Sequence, residues 1–122
     1  MVSIKTSFYP YRLILARREP VQLTIDLVND QKEAKAYSIE LEVARSLSLE
    51  RAGAKMSNYK MIGTLSPGES KKIYYDIFAK AATGNNSLPV DLRVHEHPKD
   101  SKGPHDIIQT FSRKLELTVQ PK

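Results

Sequence analysis

The residues best able to do chemistry lie near the C-terminal end: His95, Glu96 and His97, then His105 and Asp106. In a strand, residues two apart point to the same face, so His95 and His97 share one. Val90, Leu92 and Val94 occupy the opposite phase, which puts both imidazoles on the solvent side. If residues 88–97 and 107–119 pair as a hairpin, His105 returns near them. Three imidazoles on one exposed face could hold Zn²⁺, with Asp106 or water completing the shell. The simpler alternative is a polar loop that happens to carry the chain's histidines. A second candidate pair, Glu40 and Glu42, also shares a strand face. Carboxylates so placed usually meet Lys or Arg on the neighbouring strand.

Other chemistries lack their residues. The chain has no cysteine, so a thiol nucleophile, a disulfide framework and Cys-ligated zinc are excluded. No Gly-x-Ser-x-Gly elbow, Gly-x-Gly-x-x-Gly turn or Walker-type loop occurs. Gly68-Glu69-Ser70-Lys71 has a single glycine and no helix after it, which is insufficient for a phosphate cradle. The expectation is a chain that is not an enzyme and needs no cofactor.

Basic residues lie beside aromatic ones twice: Tyr9, Tyr11 and Arg12 with Arg17-Arg18, and Lys71-Lys72 with Tyr74 and Phe78. Single-stranded nucleic acid is bound by such mixtures. The net charge of +5 is modest and dispersed, however, and serves solubility equally well. Lys72, Tyr74, Asp76 and Phe78 fall on the outward phase of their strand, opposite Ile73, Tyr75 and Ile77. Aromatic side chains on an outward sheet face often mark a protein interface, the alternative being that a loop or the N-terminal segment covers them. These four residues are the expected contact surface.

The elements that position these residues follow from apolar alternation. Val21, Leu23, Ile25 and Leu27 form the cleanest period-two run. Similar runs are Val2–Thr6, Leu13–Leu15, Tyr37–Val43, Lys60–Leu65, Ile73–Ala79, Leu88–Val94 and Phe111–Val119. Leu13–Leu15 reads as the first edge strand resuming after Pro10. Residues 44–59 read as an extended segment and loop, with a short helical turn near Glu50–Gly53. Pro67-Gly68 suits the central positions of a type II turn, because Pro presets φ and Gly accepts a positive φ. One-sided strands of this number need two sheets packed face to face.

The chain's 122 residues fit one domain, spanning 1–122, which at this size buries roughly two-thirds of its unfolded surface. No stretch approaches the ~18 apolar residues of a membrane span. The N-terminus lacks the basic segment, apolar run and cleavage site of a signal peptide. A full-length chain is therefore expected in the cytoplasm, and an excised domain outside the cell.

Leu27-Val28-Asn29 and Leu65-Ser66-Pro67-Gly68-Glu69 resemble turn motifs of bacterial and archaeal immunoglobulin-like domains of the CARDB and alpha-galactosidase-associated kind. A Gly-x-Tyr corner common in that group is absent here, where Thr83-Gly84 is followed by Asn85-Asn86-Ser87-Leu88. The resemblance implies modules without catalytic residues that pack beside other domains, mediate adhesion or bind proteins. The expected fold is an all-β, immunoglobulin-like β-sandwich of about seven antiparallel strands in two sheets. The expected function is a protein-interaction module. A metal-binding module through His95, His97 and His105, and weak nucleic-acid binding through a basic surface, are the alternatives. Strand addition at the Val2–Thr6 edge is a second expected mode of protein contact.

Overall fold

A computed structural model describes residues 2–10, 12–14, 19–51, 55–79, 86–99 and 106–120. These contain nine strands: β1 (Val2–Tyr9), β2 (Arg12–Ile14), β3 (Val21–Asn29), β4 (Lys35–Val43), β5 (Leu47–Ser48), β6 (Ser57–Leu65), β7 (Ser70–Ala79), β8 (Asn86–His97) and β9 (Gln109–Gln120). Seven of them are long, and β2 and β5 are stubs of three and two residues. Among the described residues there is no helix, and so none long and apolar enough to cross a membrane.

The strands form a four-stranded sheet, ordered β1-β3-β7-β5, and a five-stranded sheet, ordered β2-β9-β8-β4-β6. Between them lie Leu23, Ile25, Leu27, Ile39, Leu41, Ile77, Leu92 and Leu117, all fully buried. These are the residues in the apolar phase of their strands, since alternation sends every second side chain to one face. The strands β3 and β4 face each other across this core rather than pairing. All pairings are antiparallel except that of β2 with β9, which is parallel. The chain thus changes sheets between β1 and β2, so Leu13-Ile14 does not resume the first strand on its own sheet.

Ser66-Pro67-Gly68-Glu69 carries the chain from one sheet to the other. Gly68 has φ +79° and Glu69 N–H donates to Ser66 O at 2.9 Å, the geometry of a type II turn. A second positive φ, +104° at Gly63, accompanies a bulge in β6. There Tyr37 pairs with Gly63 but Ser38 with Met61, so Ile62 is the extra residue. Pro89 sits near the start of β8, where its missing N–H is not needed by β4. In residues 44–59 the structure shows the two-residue β5, a turn at Arg51 and, from Ser57, the first residues of β6; the rest of the expected helical turn, 52–53, lies outside the described residues.

Candidate functional site

The expected contact residues lie along β7 on the outer face of the four-stranded sheet. The register aligns three cross-strand rows on that face: Lys5, Asp26 and Lys72; Ser7, Thr24 and Tyr74; Tyr9, Gln22 and Asp76. Lys72 and Asp76 are exposed, and Tyr74 keeps 53% of its surface in solvent. Tyr9 on the same face is 80% exposed. Phe78 differs from its three companions. It is half-buried, with the Arg51 guanidinium 5.0 Å above its ring, a cation–π contact that ties it to the segment after β5. Asp26 Oδ1 is buried and makes no hydrogen bond among the described residues, although Asp26 lies between two lysines in register.

A groove of about 330 Å³ runs beside this face, between Lys60, Met61 and Ile62 of β6 and Lys71, Lys72, Ile73 and Tyr74 of β7. The next residue on β7, Tyr75, donates its hydroxyl to Asn58 Oδ1 at 3.0 Å, and its ring lies 5.8 Å from Lys60 Nζ. Burial pushes the Tyr75 phenol up from 10.0 to about 12.

His95 and His97 do share a face, with ring centroids 6.4 Å apart, but they are not on the solvent side. Both are buried, at 6% and 0% exposure, which corrects the expectation. The neighbouring strands bring polar partners to them. β4 places Ser38 and Glu40 opposite β8, and β9 places Thr110 there. His95 Nδ1 lies 2.8 Å from Thr110 Oγ1 and Nε2 lies 2.5 Å from Glu40 Oε1. His97 Nε2 lies 2.7 Å from Ser38 Oγ. Both ring nitrogens of His95 are thus already engaged. His105 and its loop lie outside the described residues, and no group of three metal-ligating side chains occurs among those described. Glu40 meets Arg93 at 3.5 Å as well, as expected of an outward carboxylate, whereas Glu42 stands exposed across from Asp91. The hydrogen bond to His95, with the Arg93 charge behind it, holds the Glu40 carboxyl below its ordinary 4.5. Of the other basic-aromatic cluster, Tyr11, Arg17 and Arg18 lie outside the described residues.

A polar cluster that the alternation does not announce closes one end of the sandwich. Asn29 is fully buried at the end of β3. Its Nδ2 donates to Leu65 O at 2.9 Å and Glu33 O at 3.0 Å, and its Oδ1 accepts from Gln31 N–H at 2.9 Å. Its backbone N–H donates to Glu69 O at 3.0 Å and its carbonyl accepts from Gly68 N–H at 2.7 Å. The two motifs separated in sequence are therefore one corner in space. Behind it, Gln31 Nε2 donates to Glu96, and Tyr37 Oη lies within 3.5 Å of both Asn29 Oδ1 and Glu96 Oε1. Burial first, and then Glu96, push the Tyr37 phenol up to about 12. Glu96 points to the core side, away from the two histidines beside it, because it is one residue out of their phase.

No protein-family model matches this chain, and no curated protein does. Solved structures do. The native conformation of alpha-2-macroglobulin from E. coli matches with a TM-score of 0.69 over 98% of this chain at 14% identity. BcpA, the major pilin subunit of Bacillus cereus, matches with 0.64 over 99% at 12% identity. A FixG-related protein from Vibrio parahaemolyticus matches with 0.54 over 97% at 12% identity. The fold is an immunoglobulin-like β-sandwich. The chain spans 7% of the macroglobulin, 40% of the pilin and 95% of the FixG-related protein. At these identities the likeness is one of fold alone. Among the described residues, the buried Asn29 corner and the buried run His95–His97 depart from simple alternation of core and solvent, whereas β7 keeps to it.

Proposed function

We propose that this chain is a non-enzymatic protein-interaction module that meets its partner through the outer face of β7. The observation that supports it is Tyr74, a large ring 53% exposed on the outer face of β7. Lys72 and Asp76 flank it with charges of opposite sign, and no described element covers it. Such an aromatic anchor with a polar surround is the composition of an interface centre. The fold's occurrence as a small part of larger proteins is compatible with an accessory role. The Asn29 corner joins the two motifs by which the sequence resembles CARDB-type domains, and membership of that group is the finer form of the same reading.

The test is affinity capture from the native host, with cytosol and envelope fractions assayed separately, using wild type and Tyr74→Ala in parallel. Tyr74→Ala leaves the core untouched and is expected to unfold at the same temperature. A specific partner recovered by wild type and reduced roughly tenfold or more by Tyr74→Ala supports the reading. Equal recovery by both proteins refutes the assigned surface.

A further inference from the structure

We propose that the free edge of β7 accepts an extended acidic peptide segment by strand addition, which rests on the interaction reading and specifies its mode and the partner's chemistry. The backbone directions carry the argument. In an antiparallel pair, alternate residues turn their N–H and C=O toward the partner strand and away from it. Asn29 N–H bonds Glu69 O, so that opposed pair is of the hydrogen-bonded kind. Counting along the unbroken β3–β7 register, Leu27/Lys71, Ile25/Ile73, Leu23/Tyr75 and Val21/Ile77 are of the same kind. Lys72, Tyr74, Asp76 and Phe78 therefore turn their backbone groups away from β3. Phe78 meets β5, which pairs with β7 only at Phe78 and Ala79. Among the described residues, nothing pairs with the backbone groups of Lys72, Tyr74 and Asp76. Among the described residues, the stub β5 occupies one end of a strand position whose remainder is open.

The facing strand argues for β7 rather than β6 as the acceptor. The edge of β6 is interrupted by the bulge at Ile62 and carries Lys60 turned inward over Tyr75. Bulges and inward lysines are devices that keep an edge from pairing. β7 has no bulge against β3. β1 is also an edge strand, but the groove lies beside β7 and not beside β1.

The charge selects the occupant. Lys60, Lys71 and Lys72 line the groove, and none of them is in an ion pair among the described residues. A strand bearing carboxylates satisfies these ammonium groups while its backbone pairs with β7. Asp76, four residues along the strand from Lys72, disfavours acid only at that far end. A second copy of this chain is disfavoured by its own net charge of +5 and by the repulsion of two lysine-lined edges.

The probe is a capped octapeptide alternating glutamate with valine, titrated into the ¹⁵N-labelled protein while amide exchange is followed by NMR. We expect saturable shifts in β7 and exchange slowed about tenfold or more at Lys72, Tyr74 and Asp76 but not in β1. Lysine in place of glutamate in the peptide abolishes binding, and Lys71→Glu with Lys72→Glu weakens it roughly tenfold. Backbone N-methylation of the peptide, which leaves its side chains and the protein unchanged, also abolishes it. Unchanged exchange at the three amides, protection appearing in β1 instead, or equal binding of the N-methylated peptide overturns strand addition. Equal binding of the lysine peptide overturns the charge selection. The surface reading fails separately, in the capture experiment with Tyr74→Ala, because that variant retains the backbone N–H and the three lysines.

Discussion

Replacing Asn29 with alanine removes the corner where the two sheets are tied together. The wild-type side chain donates to Leu65 O and Glu33 O at 2.9 and 3.0 Å and accepts from Gln31 N–H at 2.9 Å. Each such bond contributes about 1 kcal/mol net, and a buried carbonyl left without a partner costs about 1–3 kcal/mol. Alanine also relieves the burial of an amide, which offsets part of the loss. The expected destabilisation is about 3 kcal/mol, or roughly 10 °C in melting temperature for a chain of this length. Urea unfolding followed by far-UV circular dichroism measures it, as a fall in midpoint at constant slope. Asn29→Asp sharpens the test, since it keeps the shape and the acceptor. Its second oxygen, however, faces two carbonyl oxygens where an N–H₂ group stood. At neutral pH it is expected to be less stable than Asn29→Ala. Burial raises that carboxyl's pKa, so the variant recovers as pH falls through the raised value, the protonated acid regaining a donor. A loss below about 0.5 kcal/mol for Asn29→Ala would show that the corner is held by backbone alone. Asn29→Asp more stable than Asn29→Ala at neutral pH would refute the donor argument.

The pH profile of stability should carry a Glu40 component. Its folded pKa is depressed, chiefly by the His95 hydrogen bond, so its contribution is present above the ordinary value of 4.5 and is lost as pH falls through the lower folded value. Glu40→Gln is expected to flatten the acid limb of a melting temperature versus pH curve; an unaltered limb would contradict the coupling. Both glycines at positive φ have open space where a Cβ would stand, so alanine there costs backbone strain without a clash. About 1 kcal/mol is expected for Gly68→Ala and more for Gly63→Ala, whose φ of +104° lies farther from the left-handed well. Gly68→Asn should recover part of the loss, because Asn tolerates the third position of a type II turn. Equal urea midpoints for wild type and Gly63→Ala would remove the strain assigned to the bulge.

Val21, Leu23, Ile25 and Leu27 announce β3 and its buried face by spacing alone, since a strand's period of two admits no other way to hide four aliphatic side chains. Pro67-Gly68 announces its turn type just as directly, because φ near −65° followed by a positive φ is a property of those two residues. The outward phase of Lys72, Tyr74 and Asp76 follows from the same alternation. Phase says which face of its own strand a residue takes, and nothing about what adjacent strands lay beside it. For that reason alternation places His95 and His97 on one face but does not reveal that they are buried there. Their hydrogen-bond partners Ser38, Glu40 and Thr110 are brought alongside by pairings between distant segments. Ile14 joining β9, rather than β1, likewise rests on a parallel contact that no local pattern encodes. The strands, their inward residues and the turn were determined by sequence, because they depend on near-neighbour stereochemistry and solubility. The Asn29 corner, the buried imidazoles and the backbone of Lys72, Tyr74 and Asp76, unpaired among the described residues, were decided by tertiary structure, because each exists only through which strands end up side by side.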